Sequence, residues 1–586
     1  MSGLPGEPKR GNVIRVAVAH AVVTGGRGIF AAALVALAGC GGTTAPVPAD
    51  LVFIGGVVYT MNDEQPRASA VAVRNGAIVY VGADAGVQRH VGEATRIVDL
   101  DGRMLLPGFH DTHAHVLAGG TSLEGCNLAD ERNGEAIRAM LVDCLERLDY
   151  PPGAWVIGSR WALAAFPGGN PRKEWLDEVF GDRPAYFVDA FGHSAWVSSR
   201  ALAIAGIDAD TPDPPQGVIE RDPETGEATG TLRDAAMELV AAHVPEEDDA
   251  EIEAGILRGL AEVARFGITS YTEPGLDARQ ARIYADLDGR GLLTARVQAS
   301  LSPQSWQARQ IGDGLDALLA ERPALDGERF RADSVKVYVD GVLETKTSYM
   351  LEPYSDGSNF PPFYAPATLS DLYRRLHAAG LSIHTHAIGD GAIRVALDAY
   401  AAARDAAGPL DNRHHIVHLQ LIDDADIPRF GALGVAAGFQ GLWAYRDDYI
   451  DVAIPLVGEE RVRRFYPVRS VMDAGGLIVG GSDWDVSSLN PLDAIETLVR
   501  RRDPLAETGE PLGDGEQIGL DDALRAYTVN AAWLMRRENE SGRIETGLRA
   551  DLVVLDRDLY AVPASGINEG RVDLTFVDGE EVFRRR

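Results

Sequence analysis

A chain of 586 residues is too long for one small hydrophobic core and calls for a large domain with appendages. Its 46% hydrophobic content and 64 glycines exclude a disordered polymer. A formal charge of −32 argues against nucleic acid as a partner, because most of the surface would repel phosphate.

The first residues stand apart from the rest. Arg10, Arg15 and Arg27 precede the apolar run Ile29 to Ala38, which is too short to span a bilayer and meets Gly39-Cys40. Basic, then apolar, then small residues predict a secretory signal over 1–39. Leu37-Ala38-Gly39-Cys40 resembles a bacterial lipobox, which makes Cys40 the expected lipidation site and first mature residue. A cleaved signal on a soluble protein, or a start codon set upstream of one, is the alternative. The expectation is a membrane-anchored lipoprotein facing the periplasm or cell exterior, touching the bilayer only through its lipid. Residues 40–49, small and proline-containing, read as the linker.

From Asp50 the texture changes to short strands with turns: Leu51–Tyr59, Ala70–Arg74, Ala77–Val81 and Arg96–Asp99. Asn75-Gly76 is a hairpin signal between two of them. Matching texture returns only in Ala550–Leu555 and Val572–Gly579. Residues 50–106 and 540–586 are therefore predicted to form one small composite β-sandwich.

Residues 107–539 alternate apolar strands with helical stretches, the pattern of a parallel sheet. Eight strands are predicted, ending in Gly108–His115, Ile268–Glu273, Ala295–Ser300, Ser334–Asp340, Leu381–His386, His415–Leu419, Gly434–Gln440 and Leu477–Asp483. Eight is the number a TIM-like (β/α)8 barrel of the α/β class requires. The long segment 116–264 after the first strand carries its own strands, Trp155–Gly158 and Ala185–Asp189. On the catalytic face it would act as a cap. Its aromatic residues Trp155, Trp161, Phe166, Trp175, Tyr186, Phe191 and Trp196 form either its own core or an apolar wall for an aromatic or acyl substrate. Cys126 and Cys144, the cysteines left after Cys40, are either a disulfide or two buried thiols.

Ligand-type residues end several of these strands. His113 and His115, one residue apart, would share a strand face and reach one ion, although His-x-His alone reads equally well as polar residues leaving a strand. Strand four carries Lys336, strand five His384 and His386, strand six His418 and strand eight Asp483. A lysine within an apolar strand is costly, and reaction with carbon dioxide would turn it into a carbamate able to bridge two cations. A barrel gathers the C-terminal ends of its strands, so these distant residues would converge.

On these motifs the chain resembles the amidohydrolase superfamily, in the amidohydrolase-3 branch of YtcJ-like proteins and N-substituted formamide deformylases. The resemblance runs from about Leu51 to Phe583. It is carried by Pro107-Gly108-Phe109-His110-Asp111-Thr112-His113-Ala114-His115, Val339-Asp340-Gly341-Val342-Leu343-Glu344, His386-Ala387-Ile388-Gly389-Asp390 and Gly481-Ser482-Asp483. It implies one or two divalent ions, zinc by preference. His113 and His115 would hold one, His386 and His418 the other, and carboxylated Lys336 would bridge. Asp483 would be ligand and general base, while His384 would stand behind the ligands. Gly192-His193-Ser194-Ala195-Trp196-Val197-Ser198 and Pro353-Tyr354 also match, so His193, Tyr354, Glu344 and the aromatic Trp161 are the expected substrate contacts. Ser198 and Asp234 depart from the family's usual Asn and Glu, which bears on substrate rather than on metal chemistry.

The implied reaction is hydrolysis of a non-peptide carbon–nitrogen bond, of amide or formamide type, by metal-activated hydroxide. Asp483 would take the water's proton and pass it to the departing amine, with His193 steadying the oxyanion or gripping the acyl group. The alternatives are a metal-dependent esterase, lactonase or carbamate hydrolase, and a non-catalytic metal-dependent ligand-binding lipoprotein. The partner is a small molecule, and a homodimer is among the assemblies left open.

Overall fold

Asn75-Gly76 turns the chain between Ala70–Arg74 and Ala77–Gly82, which pair antiparallel as the hairpin signal predicts. The computed structural model describes residues 47–586 apart from 130, 132, 149, 152, 303–314, 507, 508 and 514. The signal segment and Cys40 lie outside the described residues. Leu51–Ile54 and Arg96–Asp99 join the hairpin in a four-stranded sheet.

The single strand expected over Leu51–Tyr59 is two strands in two sheets. Gly55, at φ 73°, adopts a left-handed conformation that breaks the run. Val57–Tyr59 then enters a six-stranded sheet beside Met104–Pro107 and Arg67–Ala68. The other three strands of that sheet, Leu552–Leu555, Val572–Val577 and Glu580–Arg584, come from the far end of the chain. Phe53, Val71 and Val73 of one sheet share a buried cluster with Leu552, Val554 and Phe576 of the other. Phe53 and Phe576 meet edge to face at 5.1 Å. Each large apolar side chain so buried contributes about 1.5–3 kcal/mol, so the sandwich depends on both ends of the chain.

All eight predicted barrel strands form. In chain order they are Phe109–Asp111, Ile268–Leu276, Arg296–Leu301, Phe330–Tyr338, Ser382–Ala387, His415–His418, Ala436–Gln440 and Ile478–Gly481. Each is parallel to the next. The eighth meets the first through Thr112 N donating to Gly480 O (3.1 Å) and Asp483 N donating to His113 O (2.7 Å). The ring is thus closed at the rim where the ligand-type residues lie. At the opposite end, buried Arg296 donates twice to Asp551 (2.7 and 3.0 Å) and once to Asp578 (2.6 Å), fastening the barrel to the terminal sheet.

Between the first two barrel strands the chain builds a mixed six-stranded sheet. Its order is Gly217–Arg221, Ala228–Asp234, Ser194–Val197, Ala185–Asp189, Val156–Trp161 and Cys126–Asn127. Cys126 and Cys144 are joined in a disulfide, with Cα atoms 5.4 Å apart, which ties the last of these strands to the helix Gly134–Arg147. Trp161, Phe166, Trp175 and Trp196 pack ring to ring at 5.2 to 6.5 Å and are this segment's own core. Among the described residues no helix is long and apolar enough to cross a membrane.

Candidate metal centre

The strand argument for His113 and His115 is corrected by the structure. The first barrel strand ends at Asp111, and both histidines sit in the turn that follows. His115 is the N-cap of the helix Val116–Ser122, at φ −85° and ψ 69°. The convergence survives because the turn, not the pleat, aims the rings. They lie edge to face at 5.3 Å, and their Nε2 atoms stand 3.1 and 3.3 Å from the same Asp483 Oδ1. The turn after the eighth strand carries Asp483 at φ 53°. Asp111 staples the two turns by accepting from His113 N (3.0 Å) and Ser482 N (3.0 Å). A Cβ on Gly481 would stand 2.9 Å from His113 N, so the close approach needs glycine there.

The other expected ligands come to the same rim. His418 ends the sixth strand at φ 81°, its ring 5.1 Å from that of His113 and 4.5 Å from that of His386. Its Nδ1 donates to Gln440 Oε1 at 2.9 Å and lies 3.7 Å from Asp483 Oδ2. His386 Nε2 is 3.3 Å from Gly341 O and 3.8 Å from Asp340 Oδ1. Lys336 is buried on the fourth strand, Nζ 4.9 Å over the ring of Tyr338. Left-handed backbone costs about 1–3 kcal/mol at a non-glycine residue, and here it falls on His418 and Asp483, the residues whose side chains must be aimed.

Burial, then the positive charge of Lys336, hold His113 well below the ordinary histidine range. Burial and neighbouring His386 do the same for His418. Burial alone would raise the Asp483 carboxyl, but the hydrogen bond from His115 and the fields of His418, His115 and Lys336 reverse that and bring it to about 2. Neutral imidazoles beside an ionised carboxylate are the protonation states cation binding requires. Asp483 Oδ1 is buried, and the donor atoms of His113, His115 and Asp483 lie within 4.8 Å of one another. This nitrogen and oxygen donor set fits a divalent cation of the zinc type.

The six residues open onto one cavity of about 910 Å³, roofed by the segment between the first two barrel strands. His193 and Glu344 line it. Trp161 and Tyr354, expected at the substrate, do not. The indole of Trp161 is fully buried and donates to Phe187 O (2.9 Å), while the Tyr354 hydroxyl is turned into the protein and donates to Ser348 O (3.3 Å). From the aromatic set, Phe191 reaches the cavity and packs on Tyr449 at 4.5 Å. Ser198 faces away as the N-cap of Ser199–Ala205, accepting from Ala201 N. Asp234, the other departure, accepts from His193 Nδ1 at 2.7 Å and so belongs to the site.

Glu344 accepts from Gln420 Nε2 at 2.7 Å, and burial pushes its carboxyl up to about 7 from an ordinary 4.5. A carboxyl whose pKa is raised by folding stabilises the native state below the unfolded pKa and loses that contribution as pH rises through the folded one. Glu344→Gln has no proton to lose. It is expected to gain about 3 kcal/mol on the wild type as pH rises from 4.5 through 7. Urea unfolding of both proteins at pH 5 and pH 8 checks this, and a pH-independent difference would contradict it.

Glu273 and Asp189 of the site carry no legible motif, and Asp340 lies inside the Val339–Glu344 motif with no role assigned to it. Glu273 lies within the second strand and accepts from Val116 N (2.9 Å), Leu117 N (3.2 Å) and the Tyr284 hydroxyl (2.8 Å), anchoring the helix that begins after His115. Asp189 accepts from His193 N and Ser194 N, both at 2.8 Å, and shapes the turn that presents His193. Asp340 accepts from Ile388 N (3.0 Å), Gly389 N (2.9 Å) and Tyr349 N (3.1 Å), which fixes the segment after His386. An acidic residue at a strand end was the available signal, but it does not separate backbone anchors from ligands.

The sequence model of the amidohydrolase family matches residues 96–583. The chain is 30% identical over 553 residues to protein LONG AFTER FAR-RED 3 of Arabidopsis thaliana, covering 92% of each chain. It is 28% identical to the N-substituted formamide deformylase of Arthrobacter pascens, covering 92% of this chain and 98% of that one. Its fold is similar to that of an uncharacterized metal-dependent hydrolase of Pyrococcus furiosus. There the TM-score is 0.66 at 24% identity, over 87% of this chain and 99% of that one.

Proposed function

This chain belongs to the amidohydrolase family and is a metal-dependent hydrolase of carbon–nitrogen bonds; on that premise we propose that its substrate is a non-peptide amide of the N-substituted formamide type. The observation that carries the reading is the shared approach of His113 and His115 to Asp483 at the floor of a cavity into which His193 reaches. The deformylase relative supports the choice of bond.

Zinc is the proposed ion; His113, His115, His386, His418 and Asp483 would hold it, and Lys336, a cation toward His113 and Asp483 in the metal-free chain, would join them as a carbamate after reaction with carbon dioxide. When bound, a divalent cation supplies Lewis acidity that polarises a carbonyl and lowers the pKa of water to about 7. Asp483 accepts the proton of the attacking water and delivers it to the nitrogen of the departing amine as the C–N bond breaks. Asp234 accepts the Nδ1 proton of His193 and stabilises a positive charge on that ring, so that Nε2–H donates to the developing oxyanion. Asp234→Asn removes the compensating charge and is expected to lower kcat about 100-fold with little change in KM. Steady-state kinetics on an N-substituted formamide measures it. Unchanged kcat would assign the pair a structural role. Release of formate and amine from such a substrate, absent for the matching ester, is the direct test of the bond type.

Export with a lipid anchor at Cys40 is proposed for the whole chain, a reading supported by the Cys126–Cys144 disulfide, since such bonds persist in oxidising compartments. Cys40→Ser is expected to move the protein from the membrane to the soluble fraction. Retention of the variant in the membrane fraction would count against the anchor.

A further inference from the structure

The strand Val156–Trp161 of the capping segment carries one residue that its neighbour leaves unpaired. Against Ala185–Asp189 the register runs from Ser159 opposite Val188 to Trp161 opposite Asp189, so Arg160 is the extra residue of a β-bulge. Backbone bonds hold both flanks: Ser159 O accepts from Leu128 N and Trp161 O from Ala190 N, each at 2.9 Å. Arg160 itself stands at φ 67°, a left-handed conformation that glycine adopts without steric cost. Its side chain lines the cavity of the metal centre, and its Nε is buried with no hydrogen-bond partner among the described residues.

We propose that Arg160 is a substrate anchor, and that the amide hydrolysed here carries a carboxylate, away from its scissile bond, which the guanidinium grips. A bulge gives up ladder pairing to re-aim a side chain, and the one re-aimed here points a cation into ligand space. A buried N–H without an acceptor is costly in the empty protein, and an incoming oxygen removes that cost. The surrounding charge narrows the ligand to an anion. Among the described residues no carboxylate pairs with the guanidinium, so a neutral acceptor would leave its charge uncompensated. Apart from Lys336 at the metal centre, Arg160 is the only lysine or arginine among the described residues lining the cavity, whereas Glu247, Asp485, Asp493 and Asp503 line it as acids. A substrate carboxylate is repelled by those four and has this one cation to meet outside the metal centre. The planar carboxylate also matches the guanidinium fork, which donates two parallel N–H bonds to it.

This anchor rests on the amide-hydrolase reading for its choice of probes, and its test fails separately from that reading. The probes are N-(carboxyalkyl)formamides of increasing chain length, each beside an uncharged N-alkylformamide of matched length. Wild-type enzyme is expected to favour the best carboxylated probe over its partner by about 10- to 100-fold in kcat/KM, chiefly through KM. Arg160→Gly, in which the backbone keeps φ 67° without strain, is expected to bring that ratio to about 1. Arg160→Gln, neutral but still polar, is expected to do the same, so the result does not hang on how the glycine variant folds. A wild type with no preference overturns the anchor, and so does a preference that survives both variants, which would seat the carboxylate at the metal centre. Calorimetric binding of the same probes to Asp483→Asn protein reads the contact without turnover. If neither series is hydrolysed, yet the carboxylated probe binds more tightly only where Arg160 is present, the formamide reading falls and the anchor stands. Equal binding of both members of each pair overturns the anchor.

Discussion

Asp483→Asn is expected to lower kcat by about 10,000-fold, at the upper end of what a single proton-transfer group contributes, while the metal content of the purified protein stays close to that of the wild type. The variant suits the question because of the backbone. Asp483 sits at φ 53°, a left-handed conformation that Asn tolerates nearly as well as Asp, so the turn after the eighth strand keeps its shape. Asn also retains an oxygen at the position of Oδ1, which His113 and His115 approach at 3.1 and 3.3 Å. What it loses is basicity. The Asp483 carboxyl is held at about 2 by its cationic and imidazole surroundings, so it is fully ionised at neutral pH and ready to accept a proton. A variant with intact metal content and near-normal turnover would show that another group, such as Glu344 or His193, serves as the base. A variant without metal would show that ligation, not proton transfer, is the larger part of the role. Elemental analysis beside kcat separates these outcomes.

The architecture was largely legible because its signals are local and repeated. Eight apolar strands, separated by helical stretches and, after the first, by a long insertion, specify a parallel sheet, and the hairpin at Asn75-Gly76 specifies its own pairing. Leu51–Tyr59 was misread as one strand because hydropathy does not register the left-handed Gly55 that splits it between two sheets. His113 and His115 were found from a strand-face argument whose premise fails. The chain leaves the strand at Asp111, and the pair meets because two turns are stapled together by that aspartate. Glu273, Asp189 and Asp340 could not be recognised, since an acid that anchors backbone N–H groups has the same sequence appearance as an acid that binds a ligand. Trp161 illustrates the converse: an aromatic side chain in a capping segment must first fill that segment's own core, and its depth is not written in the neighbouring residues.

Removal of the metal is expected to abolish turnover and to lower native stability together, with both restored by added zinc. The site gathers His113, His115 and His418 around an ionised carboxylate, with buried Lys336 nearby, and folding must desolvate all of these groups. A ligand that binds only the folded state stabilises it by about 4 kcal/mol when present at 1,000 times its dissociation constant, so dialysis against a strong chelator should cost the protein about that much in urea unfolding. The coupling to Asp483 makes the experiment decisive. If Asp483 acts as a base only where the cation has acidified water, Asp483→Asn and chelation remove the same catalytic unit, and their effects on kcat will not add. The metal-free wild type and the metal-free variant should then be equally inactive. A further loss in the variant after chelation would place Asp483 in a second, metal-independent role. Full activity in metal-free wild-type protein would defeat the hydrolase reading altogether.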